Sequence, residues 1–161
     1  MRRLFCFLFL LAFMAPLHAR EVVDIDGYDP GTVIVSTQAR KLYYVFSSGR
    51  ALSFPVGVGR KGKQWAGTTH ITEKRVRPAW APPPSVKKVE PWLPDVIPPG
   101  PKNPMGTRAL LLNGDEYAIH GTNKPESVGG FVSFGCIRMY NRDVEELYNY
   151  VQVGTPVIVT R

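Results

Sequence analysis

The chain has 161 residues, 44% of them apolar and 20% charged. That balance fits one globular domain and excludes a disordered or fibrous chain. The formal net charge is +7 and there are only two cysteines, which excludes a disulfide-rich scaffold. Beyond residue 20 no basic run exceeds two residues and no nucleic-acid motif accompanies the charge, so a nucleic-acid partner is not expected.

In chain order, Arg2 and Arg3 precede an apolar run from Leu4 to Ala15, and Pro16 then leads to Leu17-His18-Ala19. A basic start, a short apolar run and a small final residue predict a signal peptide over 1–19, with cleavage near Ala19. The run is shorter than the roughly 20 residues a membrane span needs, and Cys6 lies inside it rather than at a cleavage site. The protein is therefore expected to be exported, to the periplasm or cell envelope. Removal of 1–19 takes away two arginines and no acid, leaving 18 basic against 13 acidic residues, a net of about +5. A basic surface suits an anionic envelope.

Residues 20–30 are polar and read as a lead-in; the domain proper is placed at 31–161. TVIVST, KLYYVF and ALSFPVGVG are rich in β-branched and aromatic residues and are joined by turn-like QAR and SSGR, which predicts an antiparallel meander. Pro55 marks an edge position or a bulge. The glycines of GVGRKGK lack phosphate-loop spacing, so no such loop is read there. His70, in GTTHI, is read as structural rather than catalytic.

Residues 78–104 contain ten prolines, and neither helix nor central strand is expected there. Trp80, Trp92 and Leu93 argue against a free linker, so this stretch is read as a long loop packed on the core. NPMGTRALLL and EYAIH, joined by NGD, read as a hairpin that ends at His120. HGTNKPESVGGF is a loop with Asn123, Pro125, Gly129 and Gly130 as breakers. Asn141 is placed as the cap of a helix RDVEELYNYV, whose Val144, Leu147, Tyr148 and Val151 share a face. TPVIVT is a last strand. No internal repeat occurs.

Without the leader, the only cysteine is Cys136 and the only histidines are His70 and His120. A lone thiol is either a small buried hydrophobe or a group of some use. His120 lies sixteen residues before Cys136 and can assist its ionisation, and Gly135 lets the backbone come close to a substrate. Arg138 can clamp a carboxylate or brace the cysteine loop through carbonyls; both roles stay open. No residues have metal-ligand spacing, so neither metal nor cofactor is expected.

IHGTN, a glycine-rich spacer and SFGCIRM together resemble the signature of the L,D-transpeptidases, the YkuD-type domain. The resemblance covers roughly residues 30–160. It implies a mostly β, sandwich or barrel-like fold with one or two short helices. It further implies Cys136 as nucleophile, His120 as base, the Gly121 carbonyl orienting the His120 ring, and Ser133, Gly135 and Arg138 completing the pocket. Phe134 departs from the family, many members of which have His there. KRVRPAWAPPPSV is similar to the loop before the family's catalytic half, which places Trp80 and Trp92 as groove residues beside the site.

The activity implied is acyl transfer on peptidoglycan stem peptides. Cys136 would form a thioester on a tetrapeptide donor with release of D-Ala. An amine would then take the acyl group: a neighbouring stem in a 3–3 cross-link, a lipoprotein lysine, or a D-amino acid. Water as acceptor makes an L,D-carboxypeptidase, and a binding domain without catalysis is the reading from another class. A monomer is expected. A sortase places its His much further from its Cys, and papain-like hydrolases reverse the order.

Overall fold

The computed structural model describes residues 21–112 and 117–161; the predicted signal peptide and the NGD turn lie outside them. The strands in chain order are β1 (Glu21–Asp24), β2 (Val33–Ser36), β3 (Lys41–Ser47), β4 (Arg50–Pro55), β5 (Val58–Gly59), β6 (Gly67–Val76), β7 (Arg108–Leu112), β8 (Ala118–His120), β9 (Phe131–Ser133), β10 (Ile137–Arg138) and β11 (Pro156–Thr160). The helices are α1 (Pro84–Lys87) and α2 (Asn141–Tyr150), with a 3-10 turn at Pro125–Ser127.

Nine strands form one sheet in the order β1-β4-β3-β2-β11-β6-β7-β8-β10, and β5 pairs with β9. The predicted meander is β2-β3-β4, antiparallel throughout. Val33, Ile34 and Val35 are buried on both faces of β2, as expected of β-branched residues in a central strand. The ten-residue β6 turns the sheet around the core. Its first half, Gly67–His70, pairs with β11, and its second half, from Ile71, pairs with β7. Gly57 and Arg138 exchange both backbone hydrogen bonds, at 2.7 and 2.8 Å, and tie the far strand β10 back to the chain that leaves β4. The result is the barrel-like, mostly β fold implied by the sequence.

Phe54, Ile71, Leu110, Ile119, Met139, Val144, Leu147 and Val157 meet in the main core. The predicted apolar face of α2 supplies Val144, Leu147 and Val151, with Tyr148 packed at the edge. Lys74 on β6 donates to the carbonyls of Tyr148 and Val151 at 2.8 and 2.7 Å. A cation thus satisfies the last, otherwise orphaned carbonyls of the helix.

Three expectations are corrected. The lead-in contains β1, which pairs with the outer edge of β4 and packs Val23 against the cluster of Ile34, Val45 and Ala51. The proline-rich loop holds one helical turn, α1, because proline at the first helical positions lacks only an N–H that has no partner there anyway. Asn141 does not cap α2: Tyr140 is the N-cap, without a side-chain bond, and the Asn141 amide is used elsewhere.

The loop 78–104 is packed on the core, held by Asn103. This fully buried side chain donates to the carbonyls of Pro78, Ile97 and Pro98 at 2.9, 3.0 and 3.1 Å, and its Oδ1 accepts from Met105 N–H at 2.8 Å. Proline-rich chain has few N–H groups with which to bind itself, so a side-chain donor takes their place. Asn103→Ala strands the Pro78 and Pro98 carbonyls and the buried Met105 amide, while Ile97 keeps its bond from Trp80 N–H. It is expected to lower the unfolding free energy by about 1–3 kcal/mol in urea melts and to expose 78–104 to limited proteolysis; an unchanged melt would remove Asn103 as the staple.

Candidate active site

The sixteen residues between His120 and Cys136 leave one strand and return beside it. β10 runs parallel to β8, with Arg138 in register with His120 and Ile137 with Ile119. Met139 N–H bonds the His120 carbonyl at 2.8 Å. Cys136 therefore enters β10 next to the strand that ends in His120. Both line one narrow cavity of about 70 Å³. Trp80, Met105, Ser133, Phe134 and Arg138 share its wall. Cys136, whose thiol is half-buried, also lines an adjoining cavity of about 380 Å³ with Glu73, Arg75 and Tyr117.

The His120 ring is oriented by its own chain. Nδ1 lies 2.6 Å from the Gly121 carbonyl. A carbonyl can only accept, so Nδ1 carries the hydrogen and Nε2 the lone pair. Gly121 is in turn set by Asn141. The Asn141 Oδ1 accepts from Thr107 and Thr122 N–H at 3.2 and 3.0 Å, and its Nδ2 donates to the Thr122 carbonyl at 3.0 Å. Its amide fills the space that a side chain at Gly106 or Gly121 would need.

Burial pushes the His120 pKa from 6.5 to about 4, and Arg138 pushes it the same way, against the pull of the Gly121 and Pro104 carbonyls. The ring is neutral near pH 7 and its lone pair is available. Arg138 is itself lowered by burial, opposed by Cys136 and Glu126. Its Nη1 donates to Ser127 Oγ at 3.0 Å, while its buried Nε has no hydrogen-bond partner. Arg138 thus has one donor on Ser127 and a second, buried donor without a partner.

Ser133 braces that loop. Its Oγ–H donates to the Cys136 carbonyl at 2.6 Å and its oxygen accepts from Gly135 N–H at 3.1 Å. Phe134 lies under the Arg60 guanidinium, 3.9 Å from the ring centroid. Trp80 is fixed in the wall by paired bonds to Ile97, at 2.9 and 2.8 Å. Trp92 is not in that wall; it stands 75% exposed on the outer side of the loop. His70 stands opposite Pro156 in the other half of the sheet. Among the described residues no group of three or more His, Cys, Asp or Glu could hold a metal.

Three contributors carry no signal in the sequence, Asn103, Trp65 and Tyr117, and Asn141 signalled a helix cap instead of this role. Trp65 Nε1–H donates to the Gly135 carbonyl at 2.9 Å and stacks on Tyr117, centroids 5.0 Å apart. The partners are 70 and 52 positions apart in the chain, too far for any spacing rule.

A family model, the YkuD L,D-transpeptidase catalytic domain, matches residues 30–159. The chain is 40% identical over 147 residues to the probable L,D-transpeptidase YbiS of Escherichia coli K12, which covers 86% of this chain and 47% of that protein. The chain spans about half the length of the curated relatives it matches. Among solved structures, an L,D-transpeptidase from Mycobacterium smegmatis superposes with TM-score 0.64 at 20% identity, over 81% of this chain and 58% of that one. A Brucella melitensis protein described as a probable carnitine operon oxidoreductase is 36% identical with TM-score 0.59, over 91% of this chain and 96% of that one.

The His120 environment sets a testable pH dependence. Because its pKa is lower in the fold than the ordinary 6.5, the unfolded chain takes up the proton first as pH falls. The stability owed to neutral His120 is complete above pH 6.5 and is lost progressively down to about 4. NMR of the His120 ring carbon proton is expected to give a midpoint near 4; a midpoint at 6.5 would contradict the buried, Arg138-facing placement.

Proposed function

The chain belongs to the YkuD family of L,D-transpeptidase catalytic domains, and from that premise we propose that it is an exported cysteine acyltransferase of peptidoglycan. The observation that carries this reading is the pairing of the Cys136 thiol with a neutral, carbonyl-oriented His120 on one cavity.

In the proposed reaction Nε2 of His120 takes the Cys136 proton as sulfur attacks the carbonyl between the third residue of a tetrapeptide stem and its terminal D-Ala. The carbonyl π pair moves onto oxygen. It returns as the C–N bond breaks, and His120 gives its proton to the departing amine of D-Ala. A ring whose charged form is disfavoured by burial and Arg138 passes that proton on readily. The thioester is then attacked by an acceptor amine, whose proton returns through His120 to the sulfur as the thiol leaves. Arg138 Nε is suited to a carboxylate of the stem. A transferase must bring two substrates to one sulfur, and the two cavities that meet at Cys136 are consistent with that need. The amine of a neighbouring stem, giving a 3–3 cross-link, is the acceptor we place first; a lipoprotein lysine or a D-amino acid presents the same amine.

The test is incubation of purified tetrapeptide muropeptides with protein lacking residues 1–19, beside Cys136→Ala. Dimers joined between third residues and absent from the variant are expected. Tripeptide as the sole product would replace the transferase by a carboxypeptidase, and product retained in Cys136→Ala would remove Cys136 as the nucleophile.

A further inference from the structure

We propose that Trp65 is a positioning residue for acyl transfer: its indole N–H fixes the Gly135–Cys136 peptide unit and so aims the Cys136 N–H at the oxyanion. The inference rests on the reading of Cys136 as nucleophile.

Two rings bracket Gly135. Trp65 Nε1–H holds its carbonyl at 2.9 Å. The Tyr117 ring lies against its Cα, where any side chain would collide with it, and Gly135 has φ +132, a conformation that favours glycine. The rings also hold each other, stacked at 5.0 Å and 12°. Trp65 is thus a donor of fixed position, not a mobile surface group.

The Gly135 carbonyl and the Cys136 N–H belong to one planar trans peptide and point in opposite directions. A bond that fixes the first therefore fixes the second. A carbonyl that accepts a hydrogen bond also polarises its own peptide, which makes the N–H a stronger donor. The Gly135 amide is held by Ser133 Oγ, and the N–H that shares a peptide with the carbonyl held by Trp65 is that of Cys136, which we assign to the oxyanion. Ser133 steadies the other side of the same residue through the Cys136 carbonyl. The two bonds hold the peptides before and after the nucleophile.

Two thiol reactions separate this role from packing. When p-nitrophenyl acetate acylates Cys136, the thiol proton passes to His120 and then to solvent, the C–S bond forms, the carbonyl pair moves to oxygen, and the collapsing oxyanion expels nitrophenolate. When iodoacetamide alkylates it, the C–S bond forms as iodide leaves, and no oxyanion appears. Trp65→Phe keeps a ring on Tyr117 and deletes the donor. We expect its acylation rate to fall by about tenfold or more, as misplacement of a catalytic group does, with alkylation within about twofold of wild type. Equal losses in both reactions would make Trp65 a packing residue and overturn the proposal, as would no loss in either. If the melt shows that Trp65→Phe does not fold, benzothienylalanine placed at 65 keeps the ring shape without the N–H and gives the same two rates. The predicted pattern in a protein that turns over no muropeptide would overturn the substrate and leave the Trp65 role standing. A wild-type Cys136 that is alkylated but never acylated would overturn both.

Discussion

The orientation of the His120 ring depends on one carboxamide. Asn141, the first residue of α2, joins the chain before β7 to the chain after β8 through Thr107 and Thr122. Those bonds set Gly121, whose carbonyl sets the His120 ring. The base is therefore positioned by a relay that starts on a helix. That helix is anchored by Val144 and Leu147 in the main core and by Lys74 at its far end. Apolar burial fixes the depth of α2, and directional bonds convert that depth into a ring orientation. Buried amides left without partners cost about 1–3 kcal/mol each, so the relay resists rotation in a way that packing alone would not.

The electrostatics follow from the same arrangement. The group that orients His120 is a neutral carbonyl rather than a carboxylate, and the pull of the Gly121 and Pro104 carbonyls toward an imidazolium is outweighed. Burial and Arg138 then keep the ring neutral. Arg138 has a second effect: with one donor on Ser127 and another unmatched, its charge favours an anion at the same cavity in which it disfavours a cation. Burial first and this guanidinium second thus hold His120 in its neutral form.

Much of this was legible in the sequence because it rests on local rules. Val33 to Val35, the run KLYYVF and the face Val144, Leu147, Tyr148 and Val151 declare strands and helix by residue type and spacing. His120, Cys136 and Arg138 sit in a motif short enough to read. What escaped was of two kinds. Edge pairing, as in β1, and a helical turn that begins on proline, as in α1, depend on backbone satisfaction rather than hydropathy. Asn103, Asn141 and Trp65 act on carbonyls, which every residue has, so no partner type marks their targets. Trp80 and Trp92 looked equivalent in the proline-rich loop. Only the bridge to Ile97 turns Trp80 into the wall and leaves Trp92 outside it.

The place of β11 in the sheet bears on how the protein comes to be folded. This strand, the last of the domain in chain order, lies near the middle of the sheet, parallel to β2 and antiparallel to β6. Val157 meets Val33, and Thr160 binds Thr37, across more than a hundred residues. Without β11, β2 and β6 would both present open edges, and the meander would reach the half-sheet that carries His120 and Cys136 only across the core, through the Gly57–Arg138 bonds and the β5–β9 pair.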